Sequence, residues 1–416
     1  MDNFKNVIGY DHIKHELNRI VDCINNKEKY ERFGVRSPLG LLIHGNPGLG
    51  KTLIATSFLE AINRNKYLIK KDKPNGEFVR YLKDTITDAI NNAPSIVLLD
   101  DLDKFANNDE GHRKTDEFIV LQSLIDDAKD KDVFFIATAN DLRDMPISLL
   151  RSGRFDVKIE VNDPTPKDTA LIIEHYLSNK HLSSDIDYEE IAKIVNCDSI
   201  ATMESIMNEA GLIAGYNDRD VISMHDIIKA SLRVVFEAPE SQEDKTPKQL
   251  ELAAYHEAGH VLVAELLEPG SVNLVTVSNY FSHKGGVTSI SNNDDYWYDI
   301  DYMENRIKML LAGKAATDII YGKIDVGAKD DMRRAKFIVS RLVGEYNINS
   351  FYSFASERAS DQSRYKYENE LATSLATYYT ETKKLIRDNI NKLEKIAKEL
   401  MNKEFLLQRD IKTIIN

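Results

Sequence analysis

The chain has 416 residues, of which 42% are hydrophobic, and a net charge of −13 at pH 7. That length predicts two or three domains with sizeable cores, and the acidic balance argues against general nucleic-acid binding. Two cysteines, Cys23 and Cys197, exclude a disulfide framework and a thiolate zinc site, and no apolar run reaches the roughly 18 residues needed to span a bilayer.

The first residues, Met1–Asn6, have no signal-peptide character. The expectation is a cytoplasmic chain with no membrane span in the residues given, a membrane-anchored longer form and peripheral membrane association being left open. Gly40–His44 is a short apolar run that reads as a buried strand. It leads into Gly45-Asn46-Pro47-Gly48-Leu49-Gly50-Lys51-Thr52 and then a helical pattern. Strand, G-x-x-x-x-G-K-[ST] and helix together form the context of a phosphate-binding P-loop. The backbone of Gly45, Pro47, Gly48 and Gly50 would close around phosphate oxygens at a helix N-terminus. Lys51 supplies a cation for ATP, and Thr52 a hydroxyl for Mg²⁺.

A second strand, Ser95–Leu99, ends in Asp100-Asp101. An apolar strand with an acidic end suits the centre of a parallel sheet, its carboxyl end at the ligand. Asp100 would hold Mg²⁺ through water, and Asp101 would orient or deprotonate the attacking water. A third strand, Val133–Ala137, leads into Thr138-Ala139-Asn140, and Leu149-Leu150-Arg151-Ser152-Gly153-Arg154-Phe155-Asp156 follows. In this order the motifs resemble an AAA-type ATPase.

From Pro164 the pattern turns helical, over Lys167–Leu177, Asp187–Val195, Met203–Tyr216 and Met224–Phe236, which resembles the helical lid of such modules. Residues 237–245 are charged and poor in apolar groups, and read as a linker. Thr246-Pro247-Lys248-Gln249 then opens a helix with a capping box and Pro at N1. On that helix lies His256-Glu257-Ala258-Gly259-His260. Residues i and i+4 share a helix face, so two neutral imidazoles can hold one Zn²⁺. Glu257 then stands as general base, the chemistry of a metallopeptidase.

This stretch, preceded by Ala254-Tyr255 and joined to the ATPase motifs, resembles the FtsH family of ATP-dependent zinc metalloproteases. The resemblance implies an α/β AAA domain (1–165) with a helical lid (166–236), the linker, and a mostly helical zinc peptidase (246–416). It further implies that Asn140 senses the γ-phosphate, that Ile8 and Gly9 lie near the adenine, and that Arg151 and Arg154 are arginine fingers. Fingers act on a neighbour's nucleotide, so a homo-oligomer is implied, a hexameric ring with polypeptide substrates. Asp331, in Gly327-Ala328-Lys329-Asp330-Asp331, falls at the family's third zinc ligand. Asp330 is a candidate N-cap, and an exchange of the two roles stays open. Lys284–Ile290 resembles the edge strand beside the metal, suited to pairing with an extended peptide. Asn292–Tyr302 reads as a polar-aromatic loop, Met303–Tyr321 as a helix ending at Gly322, and Tyr365–Leu400 as helical.

Two departures bear on the motor. The family has Glu where this chain has Asp101. Its aromatic pore loop is shortened here, with Phe78-Val79 the only close match and Arg80 in place of Gly; Phe78 is assigned equally to pore or core. Two further functions therefore stay open beside the ATP-dependent protease: a remodelling ATPase with a vestigial peptidase, and an ATP-gated peptidase restricted to unfolded chains.

Overall fold

The computed structural model describes residues 3–34, 37–106, 115–151, 153–195, 199–235, 245–277, 286–291, 299–322, 327–346, 348, 360–403 and 405–415. Cys197, most of the linker, Lys284 and Gly285, residues 292–298 of the aromatic loop, and Asp325-Val326 lie outside them. The chain divides into two compact units, Met1–Ala230 and Ser231–Asn416.

The first unit opens with α1 (Asp11–Asn25) and α2 (Lys27–Glu31). Then β1 (Gly40–His44), β2 (Asn65–Lys70), β3 (Ser95–Asp100), β4 (Val133–Ala139) and β5 (Val157–Glu160) form one sheet. Its order is β2-β3-β4-β1-β5, and every pairing is parallel. The helices between strands are α3 (Lys51–Ala61), α4 (Asn75–Asn91) and α5 (Thr115–Asp127). Successive strand residues point to opposite faces, and here both faces are apolar. Leu41, Ile43, Ile96, Leu98, Phe134 and Ile136 join a core with Leu17 and Phe58. Leu42, Val97, Leu99, Phe135 and Ala137 join another with Leu82 and Leu121. Such two-sided burial gives a doubly wound sheet with ligands at the carboxyl ends of its strands.

The helical stretch follows as α6 (Pro166–Leu177), α7 (Tyr188–Val195), α8 (Ile200–Tyr216) and α9 (Met224–Val235). Thr165 caps α6 with Pro166 at N1, and Ser199 caps α8.

Phe78 is fully buried in the first turns of α4, with the Phe105 ring edge-on at 5.0 Å. The assignment of Phe78 to a pore is therefore corrected. Helix α4 starts at Asn75, after Pro74, which places Phe78 in its first turns, in the core shared with Leu82, Phe105 and the sheet. Only Lys71–Pro74 separate β2 from α4.

In the second unit α10 (Pro247–Leu267) is the central helix. Its capping box is formed in both directions, Thr246 Oγ1 accepting from Gln249 N and Gln249 Oε1 from Thr246 N at 2.9 Å. A small sheet of β6 (Val272–Thr276), β7 (Val287–Ile290) and β8 (Phe405–Leu407) has the order β7-β6-β8, all antiparallel. Around these lie α11 (Ile300–Tyr321), α12 (Lys329–Gly344), α13 (Asp361–Asp388), α14 (Ile390–Asn402) and α15 (Gln408–Ile415). Helix α11 ends at Gly322 in the left-handed conformation, as its sequence predicts. The helical stretch Tyr365–Leu400 is broken at Asn389 into α13 and α14. Among the described residues no helix is long and apolar enough to cross a membrane.

Candidate active sites

In the first unit the P-loop joins β1 to α3. Gly48 has φ +81°, and a Cβ there would come within 2.2 Å of Ser199 Oγ. Only glycine meets both demands, and the Gly48 carbonyl accepts from Ile200 N at 3.0 Å. The start of α8 thus closes on the phosphate loop. The Ile8-Gly9-Tyr10 turn is held against α6, with Tyr10 N donating to Asp168 Oδ1 at 3.2 Å.

Lys51 is buried and donates to the carbonyls of Gly45 (2.8 Å) and Asn46 (2.7 Å). Burial pulls its ammonium pKa down, against the charges of Asp103, Asp101 and Asp100. Asp100 is 2% exposed, and its Oδ1 accepts from Thr52 (2.9 Å) and Thr138 (2.8 Å). Thr138 Oγ1 also accepts from Asp101 N at 2.8 Å. One hydroxyl therefore holds the Asp100 carboxylate and the Asp101 backbone.

Asp101 sits at φ 56°, a strained turn for a non-glycine residue, and pairs with Lys104 at 2.6 Å. Asn140 Nδ2 donates to Asp103 Oδ2 at 2.8 Å, so Asp103 belongs to the same cluster. Lys70 Nζ stands 3.4 Å from Asp100 Oδ2. The carboxyl ends of β1, β3 and β4 thus collect a phosphate loop, two oriented carboxylates and an amide, the set that Mg²⁺-ATP requires.

Arg151 is exposed. Arg154 is not: it pairs with Asp126 of its own chain through Nε (3.1 Å) and Nη2 (2.8 Å), and Nη1 donates to the Ser148 carbonyl. Hydrogen bonding from Arg154, and then from Lys129, lowers the Asp126 carboxyl to about 2.

In the second unit α10 and α11 approach closely because both carry small residues. A Cβ on Gly259 would lie 2.6 Å from the Ala312 carbonyl oxygen. A Cβ on Gly313 would lie 2.5 Å from Nε2 of both His256 and His260. Gly313 is thus the floor beneath the two imidazoles, and nothing in its sequence neighbourhood marks it. His260 Nδ1 meets the Met309 carbonyl at 2.7 Å. A carbonyl only accepts, so Nδ1 carries the hydrogen and Nε2 keeps its lone pair.

Asp331, in the first turn of α12, completes the cluster. Its Oδ2 lies 3.4 Å from His256 Nε2 and 3.5 Å from His260 Nε2, and the two Nε2 atoms are 3.1 Å apart. Tetrahedral zinc with bonds of about 2.0–2.2 Å places its donors about 3.4 Å apart, so the three fit one ion. They form the group suited to a metal among the described residues. Burial pushes the Asp331 carboxyl up, but where the imidazoles are protonated in the absence of metal, their hydrogen bonds and charge outweigh it and hold the carboxyl well below the usual carboxylate range.

Asp330 is exposed and lies 3.3 Å from Arg333. The N-cap position of α12 is Ala328, with no side-chain cap, so the N-cap role for Asp330 is corrected: the helix begins one residue before it. Glu257 is 5% exposed, and its Oε2 accepts from Thr288 Oγ1 of β7 at 2.6 Å.

The profile of peptidase family M41 matches residues 244–414, and that of the ATPase family associated with various cellular activities (AAA) matches residues 41–163. The chain is 26% identical to the ATP-dependent zinc metalloprotease FtsH 2 of Thermoanaerobacter sp. (strain X514), over 99% of this chain and 82% of that protein. It is 28% identical to the ATP-dependent zinc metalloprotease FtsH of Mycoplasmopsis synoviae (strain 53), over 99% of this chain and 66% of that protein. It is 29% identical to the ATP-dependent zinc metalloprotease FtsH 2 of Symbiobacterium thermophilum, over 99% and 74%.

Proposed function

Because this chain belongs to the FtsH family, which joins an AAA ATPase to an M41 peptidase, we propose that it is an ATP-dependent zinc metalloendopeptidase. It works as a homo-hexameric ring in the cytoplasm, drawing polypeptides in with ATP and cutting them at the zinc centre. The work divides between the α/β part (1–165), the lid (166–236), the linker (237–245) and the peptidase (246–416).

The observation that carries this reading is the spacing of His256, His260 and Asp331, with buried Glu257 on the same helix as both imidazoles. Zinc held there supplies a Lewis acid that polarises the scissile carbonyl and the attacking water. Glu257 takes a proton from that water as its oxygen adds to the carbonyl carbon. It then gives the proton to the amine nitrogen as the C–N bond breaks.

In the ATPase, Lys51 and the P-loop backbone bind the phosphates, while Thr52 and Asp100 hold Mg²⁺. Asp101 orients the hydrolytic water, and Asn140 senses the γ-phosphate. The Ile8-Gly9 turn flanks the adenine. Exposed Arg151 reaches the neighbouring nucleotide directly, whereas Arg154 must first leave Asp126.

One observation favours a narrower substrate range. Buried Phe78 and the short polar turn Lys71–Pro74 offer no aromatic grip, so we propose that unstructured chains are the preferred substrates. Digestion of casein and of a stably folded, tagged domain, each with and without ATP, tests both readings. ATP-stimulated loss of casein with slow loss of the folded domain is expected. Intact casein in the presence of zinc and ATP would overturn the peptidase, and rapid loss of the folded domain would overturn the narrower range.

A further inference from the structure

Strand β7 lies at the edge of its sheet, and among the described residues no strand pairs with its outer side. Gly286, Thr288 and Ile290 alternate onto one face. Ile290 packs on the core that α10 shares. Thr288 donates its hydroxyl hydrogen to Glu257 Oε2 at 2.6 Å. Gly286 closes the other side: a Cβ there would fall 2.6 Å from Glu257 Cγ and 2.9 Å from Oε1. Thr288 of the edge strand and Gly286 just before it therefore hold a carboxylate that projects from a different element.

A carboxylate with no partner on a half-open face rotates about its χ angles, and a general base must meet its water within about 2.6–3.2 Å. A hydrogen bond from a hydroxyl to an ionised carboxylate is short and strong, and a β-branched threonine on a paired strand has few χ1 choices. Its register is set by pairing with β6, Thr288 standing opposite Val275.

We propose that Thr288 is a positioning residue for the general base, its hydroxyl fixing Oε2 of Glu257 so that Oε1 is the oxygen that takes the water proton. The proposal rests on the peptidase reading of this site. Thr288 itself touches neither water nor substrate carbonyl. It keeps its own proton throughout, and only Oε1 is protonated and deprotonated in the cycle. Because Thr288 stands on the strand open to an extended peptide, the element that receives the substrate also orients the base.

The test uses the full chain loaded with zinc and ATP, and a fluorogenic unstructured peptide. Thr288→Val keeps the shape and removes the donor, and Thr288→Ser keeps the donor. Misplacing a reacting group by about 1 Å costs on the order of 10²-fold. Thr288→Val should therefore lower kcat about 10- to 100-fold, with KM and zinc content unchanged, and Thr288→Ser should recover most of the rate. Equal losses in both variants, or a rise in KM at constant kcat, would overturn the proposal and leave Thr288 a part of the docking edge. A double-mutant cycle of Thr288→Val with Glu257→Ala, which removes the acceptor, read by urea unfolding of the metal-free chain, reports the coupling without turnover. Absence of coupling also overturns the proposal. An inactive wild type with intact coupling would instead sink the peptidase reading and leave the contact standing.

Discussion

Replacing Gly313 by alanine adds one methyl group at the most crowded point of the metal centre. The new carbon would stand 2.5 Å from Nε2 of His256 and 2.5 Å from Nε2 of His260. Ordinary contact between such atoms is about 3.5 Å or more, so both imidazoles must retreat by about 1 Å, or α11 must move away from α10. Moving α11 away would open the close packing of Gly259 against Ala312 and Ala316. Zinc tolerates changes of only about 0.2 Å in its bonds. Disturbing groups that merely support the ligands costs about 10- to 100-fold in affinity, and displacing two ligands together should reach at least the upper end of that range. The overpacking should also cost about 1–3 kcal/mol of stability in the peptidase unit. The assay is zinc per chain after dialysis against a zinc buffer, with phosphate release from ATP as the folding control, since that site lies in the other unit. Gly313→Ala should lose zinc and proteolysis and keep ATP hydrolysis. A variant with full zinc and normal proteolysis would show that the imidazoles do not stand over Gly313.

Other outcomes follow from the same geometry. Asp331→Ala should abolish zinc binding while Asp330→Ala retains it, as metal analysis of the two variants will check. Phe78→Ala empties a fully buried site beside Phe105 and should cost the nucleotide-binding unit about 3–5 kcal/mol, read as a lower urea midpoint; an unchanged midpoint would return Phe78 to the surface. Asp126 has its pKa lowered from 3.8 to about 2 in the fold, so its stabilising contribution is present above about pH 4 and is lost as the pH falls towards 2. After discounting for its partial exposure, Asp126→Asn should cost about 1 kcal/mol at pH 7, and the gap to wild type should close near pH 2 in urea titrations.

How legible the site was in the sequence depends on whether its geometry is local. The P-loop, the capping box at Thr246 and the pair His256 and His260 each lie within a few residues of one element, and spacing alone describes them. Asp331 came from register with a family pattern, because a ligand on a different helix has no spacing signature. Gly313 carries no signal, and nothing in the segments that contain Thr138 and Thr288 marks their contacts: each acts across a helix or strand contact on a residue far away in the chain. The same distance hides the ion pair of Arg154 with Asp126, 28 residues apart, on which the finger motif is silent. Strand β2 gives a weak signal because it is an edge strand with mostly exposed residues, its apolar run limited to Tyr67-Leu68-Ile69. Phe78 was evenly balanced because an aromatic beside a turn suits a pore or a core equally, and only the packing of Phe105 against it decides.

The most direct test of the metal centre is anomalous scattering at the zinc edge from crystals of the zinc-loaded chain. One peak is expected about 2.0–2.2 Å from Nε2 of His256, Nε2 of His260 and a carboxylate oxygen of Asp331, with Glu257 outside the bonding distance. A peak coordinated by Asp330 or Glu257, or none between the two histidines at full zinc loading, would contradict the account.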